Sequence, residues 1–380
     1  MGGAPGGAGS RAGCAARTRA ARTRRMNDAA PPAVTHRRPI LVTGGAGFIG
    51  CNLADRLASD GHDVLVFDAL TRAGVEGNLR WLRQRHPQRV TSVIADIRDG
   101  DALAKAAGEC SAVFHLAAQV AVTTSLTDPQ EDFSINLQAT VQLLEALRRN
   151  GGQVPLVFAS TNKVYGDLAD VALEKHEDAW LPRDATLRSS GIAEDRSLEF
   201  HTPYGCSKGA ADQYVLDFAR SFGLPAAVLR MSCIYGQRQM GTEDQGWVAH
   251  FLIRALHGEP ISIFGDGCQV RDVLDVGDAV GAYIATWRRI DSVRGRAFNL
   301  GGGPDNAISL RQLIARIEAL TGERVVTRHE SWRAGDQRYF VSDTRLATEA
   351  LDLPPPRPWR DGVADLATWL RAHGRAREAA

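Results

Sequence analysis

The sequence lacks closely spaced cysteines, a strong excess of charge of either sign and a long apolar run. Its six cysteines are scattered, at Cys14, Cys51, Cys110, Cys206, Cys233 and Cys268. This spacing disfavours a zinc motif and a disulfide framework, so we expect no metal site and a reducing, cytoplasmic location. The net charge of +1 disfavours a general nucleic-acid binder. No apolar run approaches the length of a membrane span, so we expect no membrane partner.

The N-terminal segment, residues 1–38, is rich in Gly, Ala and Arg and has few apolar side chains that could form a core. We expect a disordered tail, or upstream sequence mis-assigned as coding with the natural start at Met26. A transit peptide, which is also rich in arginine and poor in acids, is the alternative.

From Pro39 onwards, short apolar runs alternate with longer amphipathic segments such as Phe133–Arg149. The runs that we predict to be strands are Ile40–Thr43, Asp63–Asp68, Val90–Ile94, Ala112–Leu116, Val154–Ala159 and Ala226–Arg230. Runs that are apolar on both faces are typical of a buried parallel sheet. The alternation predicts an α/β fold, a Rossmann-type doubly wound parallel sheet.

The pattern departs from this alternation twice. Residues 167–200 are polar and form too long a stretch for an ordinary connection, which indicates an insertion. After about Gln237 the pattern becomes less regular. We therefore divide the chain into a main domain, residues 39–238, and a smaller C-terminal region, residues 239–380, from which a strand near 298–300 returns to the main sheet.

A glycine-rich turn, Thr43-Gly-Gly-Ala-Gly-Phe-Ile-Gly50, follows the first predicted strand and opens a helix. Gly44 permits the tight turn, Gly47 lets the backbone approach a pyrophosphate, and Gly50 allows close helix–strand packing. A helix N-terminus presented in this way is typical of a dinucleotide-binding site.

Asp68 closes the second predicted strand about 20 residues after the turn, where a carboxylate can bind a ribose hydroxyl. The same carboxylate would repel a 2′-phosphate, so the sequence favours NAD over NADP. Arg72 lies nearby and leaves NADP as an alternative.

Tyr204 and Lys208 are four residues apart, so on a helix they share one face. A phenol ordinarily titrates near pH ~10, and we expect the Lys208 ammonium to lower the pKa of Tyr204 by favouring the phenolate. A tyrosine activated in this way can act as a general base on a hydroxyl group.

The Gly-x-x-Gly-x-x-Gly spacing together with Tyr204-x-x-x-Lys208 resembles the extended short-chain dehydrogenase/reductase family, from about Ile40 to the C-terminal helix. The resemblance implies that Thr161, Tyr204 and Lys208 form the catalytic set, although a purely structural Thr161 is the alternative. It also implies that Tyr204 and Lys208 contact NAD. The further NAD contacts that it implies are Phe48, Ile49, Asp96, Ile97, Ala117, Ala118 and Gln119.

Asn162 and Lys163 follow Thr161 directly. The nucleotide-sugar 4,6-dehydratases of this superfamily carry Asp-Glu at these positions, as the acid and base that expel water. An amide and an ammonium cannot replace that carboxylate pair, so the two residues disfavour a dehydratase and are assigned to substrate binding. A surface role for Lys163 is the alternative.

Four sequence blocks are similar to one subgroup, the CDP-paratose 2-epimerases: Ser160–Leu168, Phe200–Tyr214, Gln245–Val248 and Gln269–Leu274. The resemblance implies inversion at C2 of a nucleotide-diphosphate sugar, of the CDP-paratose to CDP-tyvelose type. The reaction passes through a 2-keto sugar, with a bound NAD that holds the hydride and returns it.

The resemblance further implies that Arg271 and Arg333 of the C-terminal region grip the diphosphate, because guanidinium groups suit phosphate oxygens. Arg238 is a weaker candidate for the same role. Cys233 stands at a sugar contact where many relatives have Asn or Ser. A homodimer or homotetramer is expected.

Three other functions stay open at this point. A UDP-glucose 4-epimerase type would share the fold and the catalytic set, while a plain NAD(P)-dependent sugar dehydrogenase or reductase would exchange its cofactor. A non-catalytic NAD-sensing protein is disfavoured by the intact Thr161, Tyr204 and Lys208.

Overall fold

The computed structural model describes residues 1–3, 38–333 and 335–374 of the chain. The expected tail over residues 1–38, including Met26, lies almost wholly outside the described residues. The strands in chain order are β1 (Ile40–Thr43), β2 (Val64–Asp68), β3 (Val90–Ile94), β4 (Ala112–His115), β5 (Leu156–Thr161), β6 (Leu173–Lys175), β7 (Trp180–Pro182), β8 (Ala226–Met231), β9 (Cys233–Tyr235), β10 (Ile261–Phe264), β11 (Val270–Asp275), β12 (Ala297–Leu300), β13 (Ala307–Ser309), β14 (Thr327–Glu330) and β15 (Tyr339–Phe340).

Helices connect most of these strands. In chain order they are α1 (Phe48–Ser59), α2 (Val75–Arg85), α3 (Gly100–Glu109), α4 (Val122–Thr127), α5 (Pro129–Phe133), α6 (Ala139–Arg149), α7 (Ala185–Ser190), α8 (Thr202–Phe222), α9 (Trp247–Leu256), α10 (Val276–Arg288), α11 (Ile290–Val293), α12 (Leu310–Thr321), α13 (Arg345–Leu351) and α14 (Trp359–Gly374). Short turns of 3₁₀-helix cover Asn162–Tyr165 and Pro304–Asn306, and a π-helical turn covers Ser134–Gln138.

The central sheet has seven strands in the order β12-β8-β5-β4-β1-β2-β3, and every neighbouring pair in it is parallel. The strand order reverses between β1 and β4. In a doubly wound sheet such a switch point opens a crevice at the carboxyl ends of the strands, where ligands bind. The expected α/β fold of Rossmann type is confirmed.

Each face of the sheet is covered by helices whose apolar stripes form a separate core. On one face Leu53 of α1, Leu82 of α2 and Tyr283 of α10 are fully buried. On the other face Leu143 of α6 and Val215 of α8 are fully buried. Burial on both faces explains why the strand sequences read as continuous apolar runs.

The amphipathic segment Phe133–Arg149 contains a π-helical turn at Ser134–Gln138 before α6 begins. The turn accommodates Asn136, whose buried side chain bonds to neighbouring groups rather than facing solvent. Strand β5 also extends beyond the expected end at Ala159, so Thr161 is the last residue of the strand. The extra strand residues include Ser160, whose hydroxyl bonds to the buried Asp212 carboxylate at 2.7 Å.

The C-terminal part of the chain builds a third core from Val248 and Phe251 of α9, Leu313 of α12 and Val363 of α14. Strand β11 pairs with β9, β13 and β15, and β10 pairs with β14. Strand β12 instead lies beside β8 at the edge of the central sheet. The boundary drawn between residues 238 and 239 stays a prediction.

The insertion over residues 167–200 contains the antiparallel hairpin β6–β7 and helix α7. Among the residues that the structure describes, no helix is long and apolar enough to span a membrane. The same described ranges contain no group of three or more His, Cys, Asp or Glu side chains placed to hold a metal ion.

Candidate active site

One cavity of about 600 Å³ lies at the carboxyl ends of the central strands and extends to the C-terminal region. It brings together most of the residues expected from the sequence. The expected residues that line it are Gly44, Gly47, Phe48, Ile49, Asp68, Arg72, Asp96, Ile97, Ala117, Ala118, Thr161, Asn162, Lys163, Tyr204, Cys233, Arg271 and Arg333. The side chains of Gln119, Lys208 and Arg238 are not part of its lining.

The glycine turn joins β1 to the start of α1 with little room for side chains. Gly44 has a φ of +67°, and a Cβ there would lie 2.8 Å from the backbone nitrogen of Ala117. A Cβ on Gly50 would overlap the carbonyl oxygen of Gly44. Gly47 caps α1 without any side-chain bond, so the helix N-terminus faces the cavity. Exposed backbone N–H groups at that point fit a pyrophosphate.

Asp68, at the end of β2, is held in place by the backbone. The amide of Ala46 donates to one of its carboxylate oxygens at 2.9 Å, and the amide of Leu70 donates to the other at 2.9 Å. Each oxygen keeps a free lone pair towards the cavity. The position and the free acceptor capacity fit a ribose with two hydroxyl groups, which agrees with NAD.

Asp96 and Ile97 lie beside this end of the cavity. The Arg98 guanidinium donates to both carboxylate oxygens of Asp96, at 2.9 and 2.6 Å. These bonds hold the pKa of Asp96 below its ordinary value. The carboxylate is therefore ionised at neutral pH and fixed in orientation beside the Ile97 backbone.

Tyr204 lies on the first turns of α8, close enough to Thr161 at the end of β5 for their hydroxyl groups to hydrogen-bond. Burial raises the pKa of Tyr204 to about 12, while the Thr161 hydroxyl opposes the rise. The structure therefore differs from the expectation that Lys208 lowers the pKa of this phenol.

The physical reason is the direction of the Lys208 side chain. Its Nζ donates to the carbonyl oxygen of Ala159 at 2.6 Å and lies 4.2 Å from the centre of the Phe158 ring. Burial lowers the pKa of Lys208 to about 7, against the raising effect of Asp212 and Asp132. Lys208 lies behind the cavity wall rather than on it.

Asn162 and Lys163 connect the end of β5 to the C-terminal segment after Arg333. The Asn162 amide nitrogen donates to the side-chain oxygen of Gln337 at 3.4 Å, and Lys163 Nζ donates to the Gly335 carbonyl at 3.0 Å. Burial and the nearby Arg271 lower the pKa of Lys163 to about 8. Neither side chain is a carboxylate, so this wall offers no acid–base pair for expelling water.

Arg271 and Arg333 approach the cavity from the C-terminal region. Arg271 Nη2 donates to Asp336 at 2.7 Å and to the Gln337 carbonyl at 2.5 Å. Arg333 lies 3.7 Å from the centre of the Phe264 ring and donates to the Glu243 carbonyl at 3.1 Å. Each guanidinium group keeps N–H donors that are free to bond phosphate oxygens.

Two expected contacts lie elsewhere. The Gln119 side chain folds back on the Ala121 backbone, with bonds of 2.8 and 2.5 Å that satisfy both ends of the amide. Arg238 stacks 3.2 Å from the centre of the Trp81 ring, away from the cavity lining. The contact with Trp81 and the partial burial of the Arg238 side chain keep this arginine outside the site.

The sequence did not lead us to predict a buried polar cluster that lies next to Tyr204 on α8. Ser207 donates to the Asp132 carboxylate at 2.5 Å, and Asn136 donates to the other oxygen of that carboxylate at 3.0 Å. Asn136 also exchanges two bonds with the Gln119 backbone, at 2.9 and 3.0 Å. The polar residues at positions 132 and 136, one turn apart in an otherwise amphipathic segment, were the available signal.

Three glutamines on the cavity wall, Gln239, Gln245 and Gln269, each have a buried side-chain oxygen without a hydrogen-bond partner among the described residues. Buried acceptors of this kind ordinarily find a donor. These oxygens are themselves buried, and the amide nitrogens of Gln239 and Gln269 donate to the backbone carbonyls of Ile234 and Phe264 at 3.2 and 2.7 Å.

Comparison with known proteins adds to this geometry. The model of the NAD dependent epimerase/dehydratase family matches residues 40–301. A CDP-paratose 2-epimerase of Salmonella typhi is 41% identical over 337 residues, which cover 87% of this chain and 98% of that protein.

Solved structures with the same fold include a UDP-glucose 4-epimerase of Thermotoga maritima with UDP-glucose. It has a TM-score of 0.73 at 31% identity, over 88% of this chain and 99% of that one. A UDP-glucose 4-epimerase of Thermus thermophilus in complex with NAD has a TM-score of 0.71 at 30% identity, over 88% and 99% of the two chains.

Proposed function

The chain belongs to the NAD dependent epimerase/dehydratase family, and we propose that within it the protein inverts C2 of a CDP-linked deoxyhexose, as in the conversion of CDP-paratose to CDP-tyvelose. The observation that carries the proposal is that Thr161, Asn162, Lys163 and Tyr204 line the same cavity. This set has a tyrosine and a threonine for proton transfer but no carboxylate pair for dehydration. The 41% identity to a CDP-paratose 2-epimerase favours C2 over other carbons.

The cofactor is NAD, which supplies reversible hydride uptake from the sugar carbon, so the reaction has no net redox change. The glycine turn and the N-terminus of α1 would hold its pyrophosphate, and Asp68 would hold a ribose. We assign the main domain, residues 39–238, to this cofactor, and residues 239–380 mainly to the nucleotide sugar.

Tyr204 Oη takes the proton of the sugar 2-hydroxyl and returns it after the keto sugar has turned over. Burial makes the phenol a weak acid, with a pKa of about 12, so the ionised base needs a positive charge close by. A bound NAD would supply this charge through its nicotinamide ring, because Lys208 points to the Ala159 carbonyl behind the cavity wall. Thr161 orients the sugar hydroxyl towards Tyr204.

Arg271 and Arg333 bind the diphosphate, which replaces part of their present bonds to Asp336 and to the Glu243 carbonyl. Because the two arginines hold the diphosphate, the keto sugar can rotate while the nucleotide stays fixed. Lys163 and Cys233 also line the cavity, and we assign them to the sugar.

The choice of a CDP-sugar over a UDP-sugar is supported by the 41% identity to a CDP-paratose 2-epimerase.

A second candidate is inversion at C4 of a UDP-sugar. The specific observation in its favour is the similarity of the fold to UDP-glucose 4-epimerases solved with UDP-glucose and with NAD. Both reactions use the same tyrosine and threonine, so only the position of the sugar separates them.

We further propose a cytoplasmic homodimer or homotetramer. Apolar side chains are exposed on neighbouring helices: Leu126 of α4, Phe133 of α5, and Tyr214 and Phe222 of α8. Such a set on helices that pack together is typical of a subunit interface. Helix α8 also carries Tyr204, so the interface would support the site.

The test is incubation of the purified protein with CDP-paratose, CDP-glucose, UDP-glucose and UDP-galactose, with products identified by proton NMR. The proposal expects a C2 epimer from the CDP-deoxyhexose and little from the UDP-sugars. A C4 epimer of UDP-glucose or UDP-galactose as the main product would replace it by the second candidate, and a 4-keto-6-deoxy product would show a dehydratase.

A further inference from the structure

We propose that the side-chain amides of Asn52 and Asn78 couple the binding of NAD to the binding of the nucleotide sugar. Each amide joins a carbonyl of the glycine turn or of the start of α1 to a carbonyl of the segment that leads into one wall of the cavity. Neither side chain lines the cavity, so both are positioning residues. The inference deepens the proposed function and rests on it for the ligand assigned to each part of the cavity.

The cavity loop, residues 239–246 between β9 and α9, forms this wall. Its residues that line the cavity are Gln239, Glu243, Asp244, Gln245 and Gly246. The loop also contacts Arg333, which we assign to the diphosphate. Arg333 Nη1 donates to the Glu243 carbonyl at 3.1 Å and lies 3.4 Å from the Asp244 carboxylate. The position of the cavity loop therefore affects how the nucleotide sugar is bound.

Contacts within the cavity loop hold it together. Thr242 and Gln245 exchange two backbone bonds, at 2.9 and 3.2 Å. The side chain of Gln239 lies against Gly246, where an added Cβ would come within 2.6 Å of the Gln239 amide nitrogen. Because the first and last residues of the loop contact each other, the segment just before it, residues 237–238, sets the position of the whole loop.

Asn78, on α2, joins this segment to the glycine turn. Asn78 is 1% exposed, and its Nδ2 donates to the Ala46 carbonyl at 3.1 Å and to the Arg238 carbonyl at 3.4 Å. A carbonyl oxygen can only accept, and an amide nitrogen carries two protons. The orientation of the Asn78 amide is therefore fixed by both partners.

The Ala46 peptide is held from both sides. Its N–H donates to the Asp68 carboxylate at 2.9 Å, and its carbonyl accepts from Asn78. A cofactor bound to the glycine turn and to Asp68 would fix this peptide and, through Asn78, the Arg238 carbonyl. The glycine turn and the cavity loop are therefore connected by one buried side chain.

Asn52, on α1, makes a second connection of the same kind. Its Nδ2 donates to the Phe48 carbonyl at 2.8 Å and to the Gln237 carbonyl at 3.1 Å. Phe48 is the first residue of α1, at the helix N-terminus that we assign to the pyrophosphate. Two helices thus bond consecutive carbonyls just before the cavity loop.

The backbone conformation of Arg238 depends on its surroundings. Its φ of +67° lies in the left-handed region, which is uncommon for a residue with a side chain. Such a conformation costs free energy and persists only where neighbouring contacts hold it. The contacts here are the bond from Asn78 to the carbonyl and the packing of the side chain on Trp81. Only the first of them reaches the glycine turn, so the coupling does not require the arginine side chain.

These contacts give the coupling a direction. NAD bound at the glycine turn holds the cavity loop in place, so the nucleotide sugar binds without having to order the loop itself. Thermodynamic linkage makes the effect reciprocal, so a nucleotide bound against the cavity loop raises the affinity for NAD by the same factor. The affinity for NAD is therefore the quantity to measure.

The experiment is equilibrium dialysis of the purified full-length protein against NAD, with and without saturating CDP, and with UDP in a parallel series. Both nucleotides carry a diphosphate but no sugar, so no contact between sugar and nicotinamide contributes. The ratio of the NAD dissociation constants without and with nucleotide is the coupling factor. With the better of the two nucleotides the wild type should bind NAD about fivefold more tightly or better, the lower end of ordinary coupling between sites.

Three alanine variants test the role of the two asparagines. Asn78→Ala and Asn52→Ala should each lower the coupling factor by about twofold or more, the scale of mutations between coupled sites. Asn306→Ala is the matched control, because Asn306 Nδ2 also donates to two carbonyls, those of Gly302 and Arg357, and Asn306 does not line the cavity. It should lower the melting temperature and leave the coupling factor unchanged.

Asn52 is only partly buried and alanine favours a helix, so Asn52→Ala keeps the proposal testable if Asn78→Ala fails to fold. A wild-type coupling factor near one with both nucleotides would overturn the proposal, and so would an equal loss of coupling in Asn306→Ala and Asn78→Ala. A factor that stays at the wild-type value in both Asn52→Ala and Asn78→Ala would also overturn it.

The carbon that is inverted does not enter this measurement. A C4 epimer as the main product would replace the proposed function and leave the coupling factor to be tested as before. A coupling factor near one would remove the role of the two asparagines and leave the assignment of C2 intact.

Discussion

Lys163 Nζ lies 3.0 Å from the carbonyl oxygen of Gly335, although the two residues are far apart in the sequence. The bond joins the loop after β5 to the segment that carries Arg333 and Asp336. This part of the cavity is therefore made by a loop from the middle of the chain and by a segment from its C-terminal part. A substrate that contacts this wall experiences the charge of Lys163 directly.

The pH dependence of substrate capture tests the charge on Lys163. Burial lowers the pKa of Lys163 to about 8, so the ammonium is lost as pH rises through that value. We expect kcat/KM for the anionic substrate to fall above about pH 8. Lys163→Met should lower kcat/KM by about tenfold or more at pH 7, the scale of one hydrogen bond to a charged group, and should remove this limb. A limb that persists unchanged in Lys163→Met would assign it to another group.

Tyr204 and Tyr214 lie on the same helix, so Tyr214→Phe is a matched control for Tyr204→Phe. Tyr204→Phe removes the hydroxyl at the cavity and should lower kcat by about 100-fold or more, the usual contribution of a general acid–base group. Tyr214 is 46% exposed, and Tyr214→Phe should leave kcat unchanged. Turnover of Tyr204→Phe at the rate of Tyr214→Phe would remove Tyr204 from the mechanism.

Retention of NAD tests the cofactor end of the cavity. Protein denatured after gel filtration should release NAD in near-stoichiometric amount, because an epimerase regains the hydride and has no need to exchange its cofactor. Asp68→Asn should reduce the amount released, since it weakens the ribose contact and the bond to Ala46. Asp63→Asn, at the residue that directly precedes β2, should not. Equal NAD content in the two variants would contradict the role of Asp68.

Variants of Arg333 and Arg238 compare an arginine that lines the cavity with one that packs against an aromatic ring. Arg333→Ala should raise KM by about tenfold, the scale of one lost charge-assisted hydrogen bond, with a smaller change in kcat. Arg238→Ala should lower the melting temperature through loss of its contact with Trp81, with KM little changed. The opposite pattern would return Arg238 to the diphosphate site.

The sequence was sufficient to predict the central sheet and the glycine turn that lines the cavity. Continuous apolar runs, the spacing of Gly44, Gly47 and Gly50, and the carboxylate of Asp68 are local signals. Each of these signals can be interpreted from residues that are neighbours in the sequence. Strands β1 and β3 lie at the bounds that we predicted from these signals.

The contacts made by the other half of the cavity could not be predicted in the same way. Gln337 meets Asn162 only because the chain folds back over the end of β5, and no local pattern indicates that pairing. The direction of the Lys208 side chain could not be predicted either. A four-residue spacing predicts a shared helix face but not a bond to the Ala159 carbonyl. Burial then reversed the expected shift in the pKa of Tyr204.

The most direct test of the proposed function is the reaction of a CDP-linked 3,6-dideoxyhexose in deuterium oxide, followed by proton NMR. Hydride storage on a bound cofactor predicts a C2 epimer with no solvent deuterium on any sugar carbon, because the hydrogen that leaves C2 is the one that returns. A C2 epimer that carries deuterium at C2 would show deprotonation and reprotonation at carbon, and would contradict the proposed mechanism.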